Sequence, residues 1–96
     1  MPSSEARLSS PKAKNYMIQL CKHFRHKVPA KWTDADAHVT FDMGTCDMRI
    51  EDELLILTCS AEDNTALGRV MAIVGDHLVR FAWREKPELS WSLRDD

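Results

Sequence analysis

The chain has 96 residues, 44% hydrophobic and 29% charged, which is the balance of one folded domain and not of a disordered chain. Its 13 Lys and Arg against 15 Asp and Glu leave a formal net charge of −2 and a pI of about 6.1. That balance excludes a global electrostatic case for nucleic acid, and no apolar run approaches the ~20 residues that a bilayer span needs.

The N-terminal Met-Pro-Ser-Ser-Glu-Ala-Arg has no apolar core and does not read as a signal peptide, so a cytosolic location is expected. Residues 1–4 are polar and expected to fray. Residues 5–9 alternate, with Ala6 and Leu8 on one face and Arg7 and Ser9 on the other, which predicts a short strand. Ser10-Pro11 then offers a helix start, serine as N-cap and proline at the first helical position.

The first helix is predicted over 11–27. Ala13, Met17, Leu20, Cys21, Phe24 and Val28 fall on one stripe at spacings of three and four, with Tyr16, Leu20, His23 and Lys27 along its flank. Val28-Pro29 ends it, because the residue before proline avoids helical geometry. A meander follows. Residues 30–33 form a weak strand, and 37–41 alternate with Val39 and Phe41 inward. Asp42-Met43-Gly44 makes a turn in which Gly44 is free to take a positive φ. Residues 45–50 alternate most clearly, with Cys46, Met48 and Ile50 inward. Residues 54–59 are apolar on both faces, as a central strand or one covered by a partner chain would be.

Ser60 or Asp63 caps the second helix, whose stripe of Leu67, Val70, Met71, Val74, His77, Leu78 and Phe81 runs toward Trp83 or Arg84. Residues 88–93 close the chain as a strand. A meander between two one-striped helices predicts an α+β two-layer sandwich, an antiparallel sheet of five or six strands with both helices on one face.

His77 is the most informative single residue, since its neighbours mark its position as core-facing. His23 lies on the edge of the first helix's stripe. Side-by-side helices would bring the two imidazoles together, where with Cys21 or Cys46 nearby they could hold iron, another transition metal or a haem iron. The alternative is a core histidine bonded to a backbone carbonyl or a carboxylate. Cys21, His23 and His26 have the spacing Cys-x-His-x-x-His, but Cys21 points about 160° away from His23 on a helix, so the three cannot chelate one ion. His23 and His26 share a face.

Lys22, Arg25, His26, Lys27 and Lys31 suggest a local anion site in an acidic chain, with solvated charge as the simpler reading. Three cysteines, Cys21, Cys46 and Cys59, are an odd number with no close pair and are expected to be reduced thiols. The chain has neither a Gly-x-Ser-x-Gly segment nor a glycine-rich phosphate loop.

Residues 20–27 (Leu-Cys-Lys-His-Phe-Arg-His-Lys), Gly44-Thr45-Cys46, residues 76–84 (Asp-His-Leu-Val-Arg-Phe-Ala-Trp-Arg) and Leu89-Ser90-Trp91 resemble the bacterial domain of unknown function twenty-two-eighteen. The resemblance runs from Ala6 to Trp91. It implies a small bacterial protein without an assigned activity, found beside or fused to siderophore-interacting flavin reductases, and it carries no catalytic residue over. The leading expectation is a non-catalytic binding module tied to iron or siderophore handling. Its ligand contacts would be Lys22, His23, Arg25, His26, His77 and Arg84, with His23 and His77 as metal ligands. A ferric siderophore or a siderophore-interacting reductase would be the partner. The alternatives are a homodimer or adaptor using Leu54, Ile56 or an exposed sheet face, and a thiol-dependent enzyme built on Cys21.

Overall fold

The computed structural model describes residues 2–85 and 89–95, the last two by their backbone. The strands are β1 (Pro2–Ser9), β2 (Ala30–Trp32), β3 (Asp36–Phe41), β4 (Gly44–Glu51), β5 (Leu54–Ala61) and β6 (Ser92–Asp95). The helices are α1 (Ala13–Phe24) and α2 (Asn64–Phe81). The strands form one sheet in the order β2-β3-β4-β5-β1-β6, with every neighbouring pair antiparallel. This is the α+β arrangement that the sequence predicts.

Register explains why the core is one-sided. Val39, Cys46, Cys59 and Ser4 lie in one cross-strand row, and Ala37, Met48, Leu57 and Ala6 in the next. All eight are buried. Because strand side chains alternate, every second residue of β3, β4, β5 and β1 faces the helix layer. There α1 places Met17, Leu20, Cys21 and Phe24, and α2 places Leu67, Val70, Val74 and Leu78. α1 lies over β2 and β3, and α2 over β5, β4 and β1.

The opposite face is polar. His38 and Asp47 meet at 2.6 Å, and Arg7 pairs with Glu5 at 3.0 Å. Ile56 faces this side yet is only 1% exposed, because its cross-strand neighbours are Arg7 and Arg49. Long arginine stems cover apolar surface while their charged heads stay in water. Among the described residues, Leu54 and Ile56 therefore form no exposed apolar patch on the open face. The exposed large hydrophobics among the described residues are Val79, Trp83 and Leu93, all elsewhere.

Several boundaries differ from expectation. Pro2–Ser4, expected to fray, is paired with β6, and Ser3 and Ser4 with β5 as well. α1 is shorter at both ends than 11–27. Residues 25–27 close as turns, and Lys12 takes the N-cap position with no side-chain cap bond. Ser10 lies two residues before that position, and its hydroxyl, which donates and accepts at once, joins a clasp. It donates to the Glu85 carboxylate at 2.8 Å and accepts from the Lys12 backbone N–H at 3.0 Å. Tyr16 also donates its hydroxyl to Glu85. Gly44 does not take a positive φ; Asp52 does, at 54°, in the tight turn between β4 and β5. Glu88, the expected start of the last strand, lies outside the described residues. Leu89–Trp91 is irregular, and the strand begins at Ser92.

The Glu85 clasp ties the end of α2 to the start of α1, and it makes stability depend on pH. The hydrogen bonds from Tyr16 and Ser10 hold the Glu85 carboxyl below its ordinary pKa. Its contribution is thus complete above the ordinary carboxylate value of 4.5 and is lost as pH falls through the depressed folded value. The Tyr16 phenol shifts upward, first through its bond to Glu85, then through burial, so its contribution is present below 10.0 and is lost as pH rises through the raised value. The Tyr16→Phe variant is expected to be less stable at neutral pH and to lose stability less steeply than the parent between pH 5 and the acid limit. Urea unfolding at a series of pH values measures both.

Candidate functional site

The site forms where the last turns of α1 and α2 run side by side. His23 projects from the flank of α1 and His77 from the stripe of α2. Their ring centroids stand 4.7 Å apart with planes inclined at 44°. Phe24 packs edge-on against His77 at 5.1 Å and against Phe41 at 5.1 Å. Phe81 closes the other side, 5.8 Å from His23. Aromatic edges on both sides restrict the rotation of the two imidazoles.

His77 Nδ1–H donates to the Ile73 carbonyl one turn earlier, at 2.7 Å. A carbonyl can only accept, so Nδ1 carries a proton in this bond and Nε2 is the ring nitrogen that remains for another partner. The bonded-histidine reading and the ligand reading of His77 are therefore compatible: the backbone bond is what orients the remaining nitrogen. His23 stays neutral to lower pH than an ordinary histidine. Desolvation of its ring is the main cause, followed by the charges of His77, Lys27, His26 and Arg80.

The two rings open onto a cleft of about 320 Å³ between the helix ends and the turn joining β3 to β4. Lys27 and Asp42 bring charge to its lining; Phe41 and Met43 bring apolar surface. Of the expected ligand contacts, the structure brings His23 and His77 together here and leaves the others outside. Arg25 lies over the Trp32 ring at 5.6 Å and Arg84 over Trp83 at 5.2 Å, each drawn to an aromatic face. Lys22 and His26 are exposed and do not line the cleft.

Sequence reasoning missed Met43 and Asp42 as cleft residues, because they read only as a turn. It included Lys27 in a general basic cluster without placing it. No group of three or more His, Cys, Asp or Glu among the described residues is arranged to hold a metal, so neither Asp42 nor a cysteine joins the two histidines as a third ligand.

The thiols are inaccessible. Cys21, Cys46 and Cys59 are all 0% exposed. Burial pushes the Cys21 thiol up to about 11, and Cys46, hydrogen-bonded to Cys59 and buried, is also raised. A nucleophilic thiol needs the opposite shift and an exposed sulfur. Alkylation of the native protein at neutral pH is expected to leave all three cysteines unlabelled, and full labelling is expected in denaturant. Mass spectrometry reads the count, and rapid native labelling of Cys21 would revive a thiol enzyme.

A family model described as "Uncharacterized protein conserved in bacteria (DUF2218)" matches residues 5–92. The chain belongs to this bacterial family. The match includes every element that builds the cleft. The family's description carries no activity. A structure similar to this family member is "NMR structure of PA4090 from Pseudomonas aeruginosa", at TM-score 0.81 and 26% identity, over 96% of each chain. No curated protein matches the chain. No helix among the described residues is long and apolar enough to cross a membrane.

Proposed function

We propose that this family member is a non-catalytic, cytosolic binding module that takes a transition metal, iron included, alone or within an anionic chelate such as a ferric siderophore. The observation that carries this reading is the pair of imidazoles from two helices, 4.7 Å apart at the mouth of a cleft, one with its tautomer set by a backbone carbonyl. Two neutral nitrogens suit borderline metals such as iron, nickel, copper and zinc. They do not saturate any of these, so the metal would keep ligands of its own, which suits a carrier or sensor of chelated metal. Lys27 gives an anionic chelate a cation to meet in the lining, where Asp42 is the one carboxylate among the described residues. A volume of about 320 Å³ sits at the lower end of small-molecule sites, roughly 300–1,000 Å³, and suits an ion with compact ligands better than a whole haem.

The protein purified without a histidine tag is expected to bind ferrous iron, zinc or nickel with a Kd of about 10 μM or tighter, some 7 kcal/mol. Calorimetric titration of each ion, of a ferric siderophore and of haem is the measurement. Affinities no better than about 1 mM for every one of them would overturn the proposal.

A further inference from the structure

We propose that Met43 completes the histidine pair and makes the site selective for copper(I). This rests on the reading of His23 and His77 as metal ligands. Met43 sits in the two-residue turn between β3 and β4, since Phe41 pairs with Gly44 across it. Its side chain is half-buried against the core cluster and lines the same cleft as His23 and His77. The turn thus brings Met43 to the lining that the two imidazoles share.

The donor set decides the metal. Structural zinc takes four ligands, and non-haem ferrous sites combine two histidines with a carboxylate. Among the described residues no carboxylate or thiolate joins the two histidines. Of the two residues of the β3–β4 turn in the cleft lining, Asp42 belongs to no group arranged to hold a metal, while Met43 brings a soft, uncharged sulfur. Thioether selects copper(I) among the metals that imidazole accepts. Copper(I) has a filled d shell and is stable with three ligands, so two nitrogens and one sulfur suffice. Phe24 and Phe81 pack against the histidines and give the site an apolar side, which suits a soft, singly charged ion, while Lys27 and Asp42 bring charge to the rest of the lining. No electron transfer is invoked; the ion enters and leaves as copper(I).

The test is anaerobic titration with copper(I) against a chromophoric chelator, alongside zinc(II), for the parent and for Met43→Leu, which keeps the apolar volume of the turn. The parent is expected to bind copper(I) at least ~100-fold more tightly than zinc, and Met43→Leu to lose ~10-fold or more in copper(I) affinity while zinc changes less than ~2-fold. X-ray absorption should show one sulfur in the parent's copper shell and none in the variant's. Equal affinities for the two metals, or copper binding that Met43→Leu leaves unchanged, would overturn the copper assignment and leave the binding module standing. Copper held after His23 and His77 are both replaced would place it on the core thiols and overturn the assignment equally. Binding of no metal at all would overturn both.

Discussion

The His77→Phe variant is expected to lose about 100-fold in metal affinity, near 2.7 kcal/mol, with little change in stability. Two imidazoles held together pay the cost of ordering a metal once, and removing either returns the site to a single monodentate nitrogen. Phenylalanine is the informative replacement because His77 packs against the ring of Phe24 at 5.1 Å and lies near Phe81, and an aromatic side chain keeps those contacts. The Ile73 carbonyl is not orphaned by the change, since it still accepts the helical N–H of residue 77. Metal titration and urea unfolding of the same sample separate the two effects. A loss of affinity matched by a loss of fold would mean that His77 acts as core alone.

The Gly44→Ala variant is expected to lose about 3 kcal/mol of folding stability. A methyl group there would stand 2.3 Å from the Ser60 carbonyl oxygen and 3.0 Å from both the Ala61 Cβ and a Val70 methyl. The carbonyl belongs to the β4–β5 ladder, where Gly44 lies opposite Ala61 and Thr45 opposite Ser60. It cannot yield without breaking that ladder, and Val70 is held at 0% exposure by the helix above. Of a total stability of roughly 5–10 kcal/mol for a domain of this size, such a loss is a large share. Urea unfolding measures it, and a change under about 0.5 kcal/mol would show that the strand end relaxes at no cost. Glycine is required at this position by close approach and not by backbone dihedral.

The elements were legible because each carries its own period. The stripe Met17, Leu20, Cys21 and Phe24 can bury one side only as a helix, and Cys46, Met48 and Ile50 can do so only as a strand. The boundaries were less legible where a distant side chain intervened. Ser10 has the chemistry of an N-cap and its oxygen accepts the Lys12 N–H, but the helix begins later, and the bond its hydroxyl donates to Glu85, 75 residues away, has no local signature. Ile56 read as an interface residue because the strand looked apolar on both faces. Its cover comes from Arg7 and Arg49, two charged residues on neighbouring strands, and register alone reveals them.

Residues 15–27 show the same division within the candidate site. The 3.6-residue period of α1 already separated Cys21 from His23, and it placed His23 on a flank and His77 among core positions, so half a site on each helix followed from spacing. Whether the halves met depended on α1 and α2 lying side by side over the sheet, which no local pattern encodes. The same holds for Met43: the sequence marks residues 42–44 as a turn, and only the seating of that turn beneath the two helix ends brings it to the histidines' cleft. Periodicity is a local property of the chain and determined the faces. The distances between faces are set by packing between elements far apart in sequence, and these the tertiary structure decided.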